Sequence, residues 1–144
     1  MAGRILLVED NEDDIALTLR ALEKNHLRNE VIIMRDGQEA LDFLFRQGEH
    51  ATRPIDDMPE LVLLDLKLPR RDGLEILREI RASPQTQFLP VVVLTSSSQD
   101  RDVVQSYELG ANSYVQKPVN FTDFIEATRQ LGLYWLVLNR RPVT

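Results

Sequence analysis

The chain has 144 residues, a net charge of −6, 43% hydrophobic and 28% charged residues, and no cysteine. That balance describes one soluble globular domain long enough to bury a sizeable core. It excludes disulfides, thiol catalysis and cysteine-ligated metal sites, and the scattered basic residues argue against a nucleic-acid partner, which calls for a concentrated basic face.

The opening "MAGRILLVEDNEDD" does not read as a signal peptide, because its apolar stretch is short and ends in acids. No apolar run approaches the roughly 20 residues of a membrane helix, so the expectation is a cytoplasmic chain with no membrane partner. Apolar runs at Ile5–Val8, Val31–Met34, Leu61–Leu64, 91–94 and 114–115 read as five strands, the first four nearly continuous and so covered on both faces. Between them lie helical stripes: Ile15, Leu19 and Leu22; Ala40, Leu41 and Leu44; Leu77 and Ile80; Val103, Val104 and Tyr107; Phe124, Ile125, Thr128, Leu131 and Trp135. Gly110 reads as a helix C-cap. The polar connection 46–60 is long for a compact domain and predicts a functional or mobile loop. Five strand–helix alternations predict an α/β fold, a doubly wound parallel sheet with helices on both faces, in a single domain over 1–144.

The polar residues fall in a pattern. Glu9 and Asp10 follow the first run, Asp65 ends the third, Thr95 the fourth, and Lys117 follows the fifth. Each alone has an ordinary reading as a turn cap, a strand residue or a solvated helix start. Together they lie beyond the carboxyl ends of their strands, the edge where open parallel sheets bind ligands. Two like charges about 4 Å apart repel by roughly 4 kcal/mol at an effective dielectric near 20, so three acids in one pocket call for a cation. An oxygen-only ligand set suits magnesium. A threonine hydroxyl and a lysine ammonium beside a metal-bound carboxylate make a receptacle for a phosphoryl group, with Asp65 as nucleophile.

Other phosphate chemistries do not fit the residues. The turn after the first strand reads "EDNEDD", not the glycine-rich motif of a P-loop or a dinucleotide fold. A haloacid-dehalogenase-like phosphatase needs an aspartate two residues after its nucleophile, where this chain has Lys67. His26 and His50 lie away from the acids and read as surface residues.

The segments "ILLVEDNEDD", "LVLLDLKLPRRDG", "VVVLTSSS" and "ANSYVQKPVN" resemble the receiver domains of two-component response regulators, over a core of about residues 4–131. The resemblance implies a flavodoxin-like strand order 2-1-3-4-5 and a phosphorelay module rather than an enzyme. It implies Asp65 as the phosphorylated residue and Glu9, Asp10, Asp65 and the Lys67 carbonyl as ligands of Mg2+, Glu9 through water or a longer reach. Thr95, the Ser96 amide and Lys117 would hold the phosphoryl group, and Thr95 with Tyr114 would switch the face made by the fourth helix, fifth strand and fifth helix. Lys67 and Ser97 occupy positions that tune phosphoryl loss, and the bond before Pro118 resembles a cis proline. The partner implied is a sensor histidine kinase; a pseudo-receiver that signals without phosphate is the alternative, and the complete acid, threonine and lysine set argues against it.

The long loop and the ending "LGLYWLVLNRRP" resemble single-domain receivers paired with bacterial phytochrome kinases, with no room for an output domain and a C-terminal extension over 132–144. In Leu133–Leu138, one helical face uses Leu131, Trp135 and Leu138. The remaining Leu133, Tyr134 and Val137 need another cover, which predicts a homodimer or, as the alternative, a tail folded back onto its own domain.

Overall fold

The computed structural model describes residues 3–27, 29–54, 57–117, 120–140 and 142, and gives no account of the Val137 side chain. The expected cis bond at Pro118 lies outside the described residues. Strands β1 (Ile5–Val8), β2 (Val31–Met34), β3 (Leu61–Leu64), β4 (Val91–Thr95) and β5 (Ser113–Gln116) alternate with five α-helices. These are α1 (Glu12–Lys24), α2 (Gly37–Leu44), α3 (Gly73–Ala82), α4 (Asp100–Glu108) and α5 (Phe121–Gly132). All strand pairs are parallel, in the order β2-β1-β3-β4-β5. No helix among the described residues is long and apolar enough to cross a membrane.

The continuous apolar runs are explained by the two-residue period of a strand, which sends neighbours to opposite faces. Leu6, Val8, Val62, Leu64, Val91 and Val93 enter one core with residues of α2 and α3. Ile5, Leu7, Leu61, Leu63 and Val92 enter the other, with Ile15 and Leu22 of α1. Edge strand β2 is only half covered at Val31, Ile32 and Ile33.

Four helices start on a side-chain cap: Asn11 accepts from the Asp14 amide, Asp36 from Glu39, Asp72 from Glu75 and Asn120 from Asp123. Gly110 (φ 97°) follows α4; its amide donates to the Tyr107 carbonyl and that of Ala111 to the Ser106 carbonyl, a complete Schellman closure as its glycine predicts. Gly73 opens α3 so close to β3 that a Cβ would lie 2.3 Å from the Asp65 carbonyl oxygen, so this turn requires glycine.

Several expectations are corrected. The stripe Val103, Val104 and Tyr107 does not face the core: α4 buries Asp102 and Ser106, leaving Val104 53% and Tyr107 51% exposed. Asp102 is held on the inner side as its carboxylate accepts from the Ser97 hydroxyl at 2.5 Å, and Ser106 lies one turn on along the same face. Leu19 in α1 is likewise at the surface, and Thr18 and Ala21 take inner positions. The 46–60 connection is docked among its described residues. Arg53 stacks 3.7 Å over the Phe43 ring and donates to the Phe43 and Asp57 carbonyls, while Met58 packs on the core. His50 is half-buried, edge-on to Phe43, rather than a free surface residue; His26 is exposed as expected.

After α5 the chain widens into a π-helical turn over Leu133–Leu138, so the 3.6-residue face assumed from sequence does not persist. Trp135 and Leu136 pack against the domain, whereas Leu138, expected on the covered face, is 64% exposed.

Candidate phosphoryl-acceptor site

The order of strands reverses between β1 and β3, and the crevice at their carboxyl ends holds the acids. Glu9 continues β1, its amide donating to the Met34 carbonyl at 3.0 Å, and its carboxyl is 3% exposed. Asp10, next along, turns to solvent. Asp65 continues β3 through its amide on the Val8 carbonyl (3.1 Å) and is 8% exposed. Its Oδ1 accepts from the amides of Leu66 at 2.7 Å and Lys67 at 3.5 Å, which aims the second oxygen into the crevice. Glu9, Asp10 and Asp65 each offer a carboxylate oxygen, all within 4.8 Å of one another. Three hard oxygen donors at that spacing suit a divalent cation.

Lys117 reaches the site because its amide donates to the Thr95 carbonyl at 2.8 Å, tying the end of β5 to β4. Its Nζ lies 2.5 Å from Glu9 Oε1, 2.8 Å from Asp14 Oδ2 and 3.7 Å from Asp65 Oδ2. Burial alone would lower the pKa of this ammonium, but hydrogen bonds to Asp14 and Glu9 and the charges of Asp65 and Glu9 outweigh it and raise it. Burial pushes the Glu9 carboxyl up to about 7, aided by the Asp65 charge and against the pull of Lys117. Both partners are therefore raised, since one shared lysine returns less to Glu9 than burial and Asp65 take away.

Thr95 is fully buried at the end of β4. Ser96 and the Lys67 side chain are exposed beside the crevice. Tyr114 is half-buried, its hydroxyl donating to the Ser97 carbonyl at 2.8 Å. Burial, with the Asp102 and Asp65 charges, raises the phenol above its usual range. All the predicted acids, Thr95 and Lys117 thus lie at one sheet edge, with Tyr114 on the neighbouring strand. Sequence reasoning missed Asp14 and the Ser97–Asp102 link. The Asn11 cap followed three residues later by an acid is the signal that could have placed Asp14 on the first turn of α1, facing the crevice.

The response regulator receiver domain family matches residues 5–129. The chain belongs to that family. It is 43% identical over 132 residues to response regulator Rcp1 of Synechocystis sp., covering 92% of this chain and 88% of the relative. The Mn(2+)-bound form of Rcp1 superposes with a TM-score of 0.88 at 41% identity, over 98% of this chain and 99% of that one. The phosphorylated cyanobacterial phytochrome response regulator RcpA superposes at 0.91 and 38% identity, over 99% of this chain and all of RcpA. The bacteriophytochrome response regulator RtBRR is 53% identical, with a TM-score of 0.79, over 99% of this chain and 85% of that one. This chain is therefore a receiver-type response regulator homologous to regulators associated with phytochromes, and its acid cluster suits a divalent metal.

The raised Glu9 pKa has a consequence in the metal-free protein. Between about 4.5 and 7 the folded state holds a proton at Glu9 that the unfolded state has lost. This contribution to stability is complete below pH 4.5, falls as pH rises through 7 and is then gone. In EDTA, the urea midpoint of the wild type relative to Glu9→Gln should fall between pH 5 and pH 7.5. A constant difference would remove the proton from Glu9.

Proposed function

We propose that the chain is a phosphoryl-accepting switch in a two-component phosphorelay, signalling through its surface rather than turning over a substrate. Its support is the group of three carboxylates with Lys117 3.7 Å from Asp65 Oδ2 at the sheet's ligand-binding edge. In the transfer, an Asp65 oxygen forms the new bond to phosphorus as the bond to the kinase histidine nitrogen breaks. The imidazole leaves with the pair of electrons and takes up a proton. Lys117 and the Thr95 hydroxyl would neutralise and orient the phosphoryl oxygens, with the Ser96 amide as a further donor. Glu9, Asp10, Asp65 and the Lys67 carbonyl would hold Mg2+, which supplies charge neutralisation when bound.

A sensor histidine kinase of the phytochrome type is the proposed partner and the cytoplasm the proposed location of this chain, supported by the relatives named as phytochrome and bacteriophytochrome response regulators. Thr95 and Tyr114 would carry the signal to α4, β5 and α5, whose exposed Val104 and Tyr107 make α4 a partner surface. The domain assignment over 1–144 belongs to the same reading. Incubation with Mg2+ and acetyl phosphate should add one phosphoryl group by intact mass, and EDTA should prevent it. No mass gain at any magnesium concentration would sink the proposal.

The C-terminal turn supports self-association. Leu133 is 44% and Tyr134 50% exposed although Trp135 and Leu136 beside them are covered. A two-fold contact between copies would cover this patch on both and close without forming a fibre. Light scattering at micromolar concentration should report a dimer, and Tyr134→Asp should convert it to monomer; a wild-type monomer with and without phosphate refutes it.

A further inference from the structure

Lys117 is shared unequally. Its ammonium has three protons to give, and the two nearest acceptors are Glu9 and Asp14, with Asp65 a full 3.7 Å away. Asp14 sits in the first turn of α1, its amide fixed by the Asn11 cap at 3.0 Å and its carbonyl accepting from the Thr18 hydroxyl at 2.8 Å. Those bonds hold its backbone, so the carboxylate comes to Lys117 from a rigid helix start. Its side chain remains 35% exposed, against 10% for Lys117. Neighbouring Glu12 is engaged elsewhere, by Arg35 at 2.6 Å, and Asp13 faces solvent. Among these three acids, Asp14 is the one paired with Lys117.

We infer that Asp14 is a positioning residue that holds Lys117 back from Asp65 and thereby sets how long a phosphoryl group stays there. This rests on the phosphoryl-acceptor reading of Asp65. In hydrolysis, a water oxygen bonds to phosphorus while the bond from Asp65 breaks, giving back the carboxylate and releasing inorganic phosphate and a proton. The transition state is loose and metaphosphate-like, with charge spread over the three equatorial phosphoryl oxygens, where positive groups stabilise it. A cation held over those oxygens therefore stabilises the transition state more than the bound state. Lys117 tethered to Asp14 gives less of that stabilisation than Lys117 set free.

The test is phosphoryl half-life at fixed Mg2+ in wild type, Asp14→Asn, Asp14→Ala, Asp14→Glu and Asp13→Asn, each loaded with acetyl phosphate and followed by intact mass. Melting of each variant checks the fold. Asp14→Asn and Asp14→Ala should shorten the half-life by about threefold, the scale of a partly exposed ion pair. Asp14→Glu should restore the wild-type value, and Asp13→Asn should match wild type. An unchanged or longer half-life in both Asp14 variants overturns the inference. Equal shortening in Asp13→Asn does so too, since general charge would then explain it. A wild type that takes up no phosphoryl group instead overturns the acceptor reading, and the inference with it.

Discussion

Asp65→Asn should take up no phosphoryl group under conditions that load the wild type, and it should be more stable than the wild type when metal is absent. The first effect follows because the amide is no nucleophile, while asparagine Oδ1 can still accept from the Leu66 amide, which now lies 2.7 Å from Asp65 Oδ1. The second follows from crowding. Asp65 is among the groups that push the Glu9 carboxyl up to about 7. Removing its charge relieves that repulsion, and Lys117 keeps Glu9 and Asp14 as partners. One pKa unit of relief corresponds to a gain of about 1.4 kcal/mol. At pH 8 in EDTA the variant should therefore unfold at higher urea, and added Mg2+ should stabilise it less than it stabilises the wild type. Phosphate found on Asp65→Asn, or a variant less stable than wild type in EDTA, would contradict the assignment of Asp65 as the crowded nucleophile.

Lys117→Ala should have the opposite effect on stability. It strips the cation from Glu9, 3% exposed, and from Asp65, 8% exposed, and leaves both carboxylates facing one another. Breaking a buried pair by deleting one partner costs about 3 kcal/mol or more, because the remaining charge is left uncompensated. The cost depends on pH in a defined direction. Glu9 escapes the penalty by taking a proton, so the loss should be largest at pH 8 and smaller at pH 5.5. Phosphorylation by acetyl phosphate should slow by about a hundredfold, the scale for losing one preorganised charge donor at a reacting centre. Urea unfolding at the two pH values measures the first effect and intact mass the second. An equal loss at both pH values would place the cost in packing of the lysine stem instead of its charge.

The same residues show how much of the site is legible in the amino-acid sequence. Glu9, Asp10, Asp65, Thr95 and Lys117 were legible because a parallel sheet delivers strand ends to one edge, and each follows or ends an apolar run that marks its strand. The strand order came with the family resemblance; the runs themselves are compatible with several orders. Sequence periodicity also placed the inward faces of α2, α3 and α5 correctly, since those helices bury apolar side chains on a sheet.

Where it failed, the deciding feature lay outside the local apolar pattern. Val104 and Tyr107 look inward by spacing, yet α4 turns Asp102 and Ser106 toward the sheet, with Asp102 accepting from the Ser97 hydroxyl. Hydrophobic pattern alone does not contain such a bond. Asp14 is the second case. Its partner Lys117 is 103 positions away, and the pair exists only because α1 and the end of β5 converge on one crevice. The tail is the third, where a π-helical turn over Leu133–Leu138 takes the backbone off the 3.6-residue period. What the amino-acid sequence determined by itself was therefore the set of elements and the chemistry at their ends, because local periodicity and residue type encode both. Tertiary structure alone decided the rotation of α4, the division of Lys117 among three carboxylates and the exposed face of the tail. Each of these depends on distances between segments that no local pattern specifies.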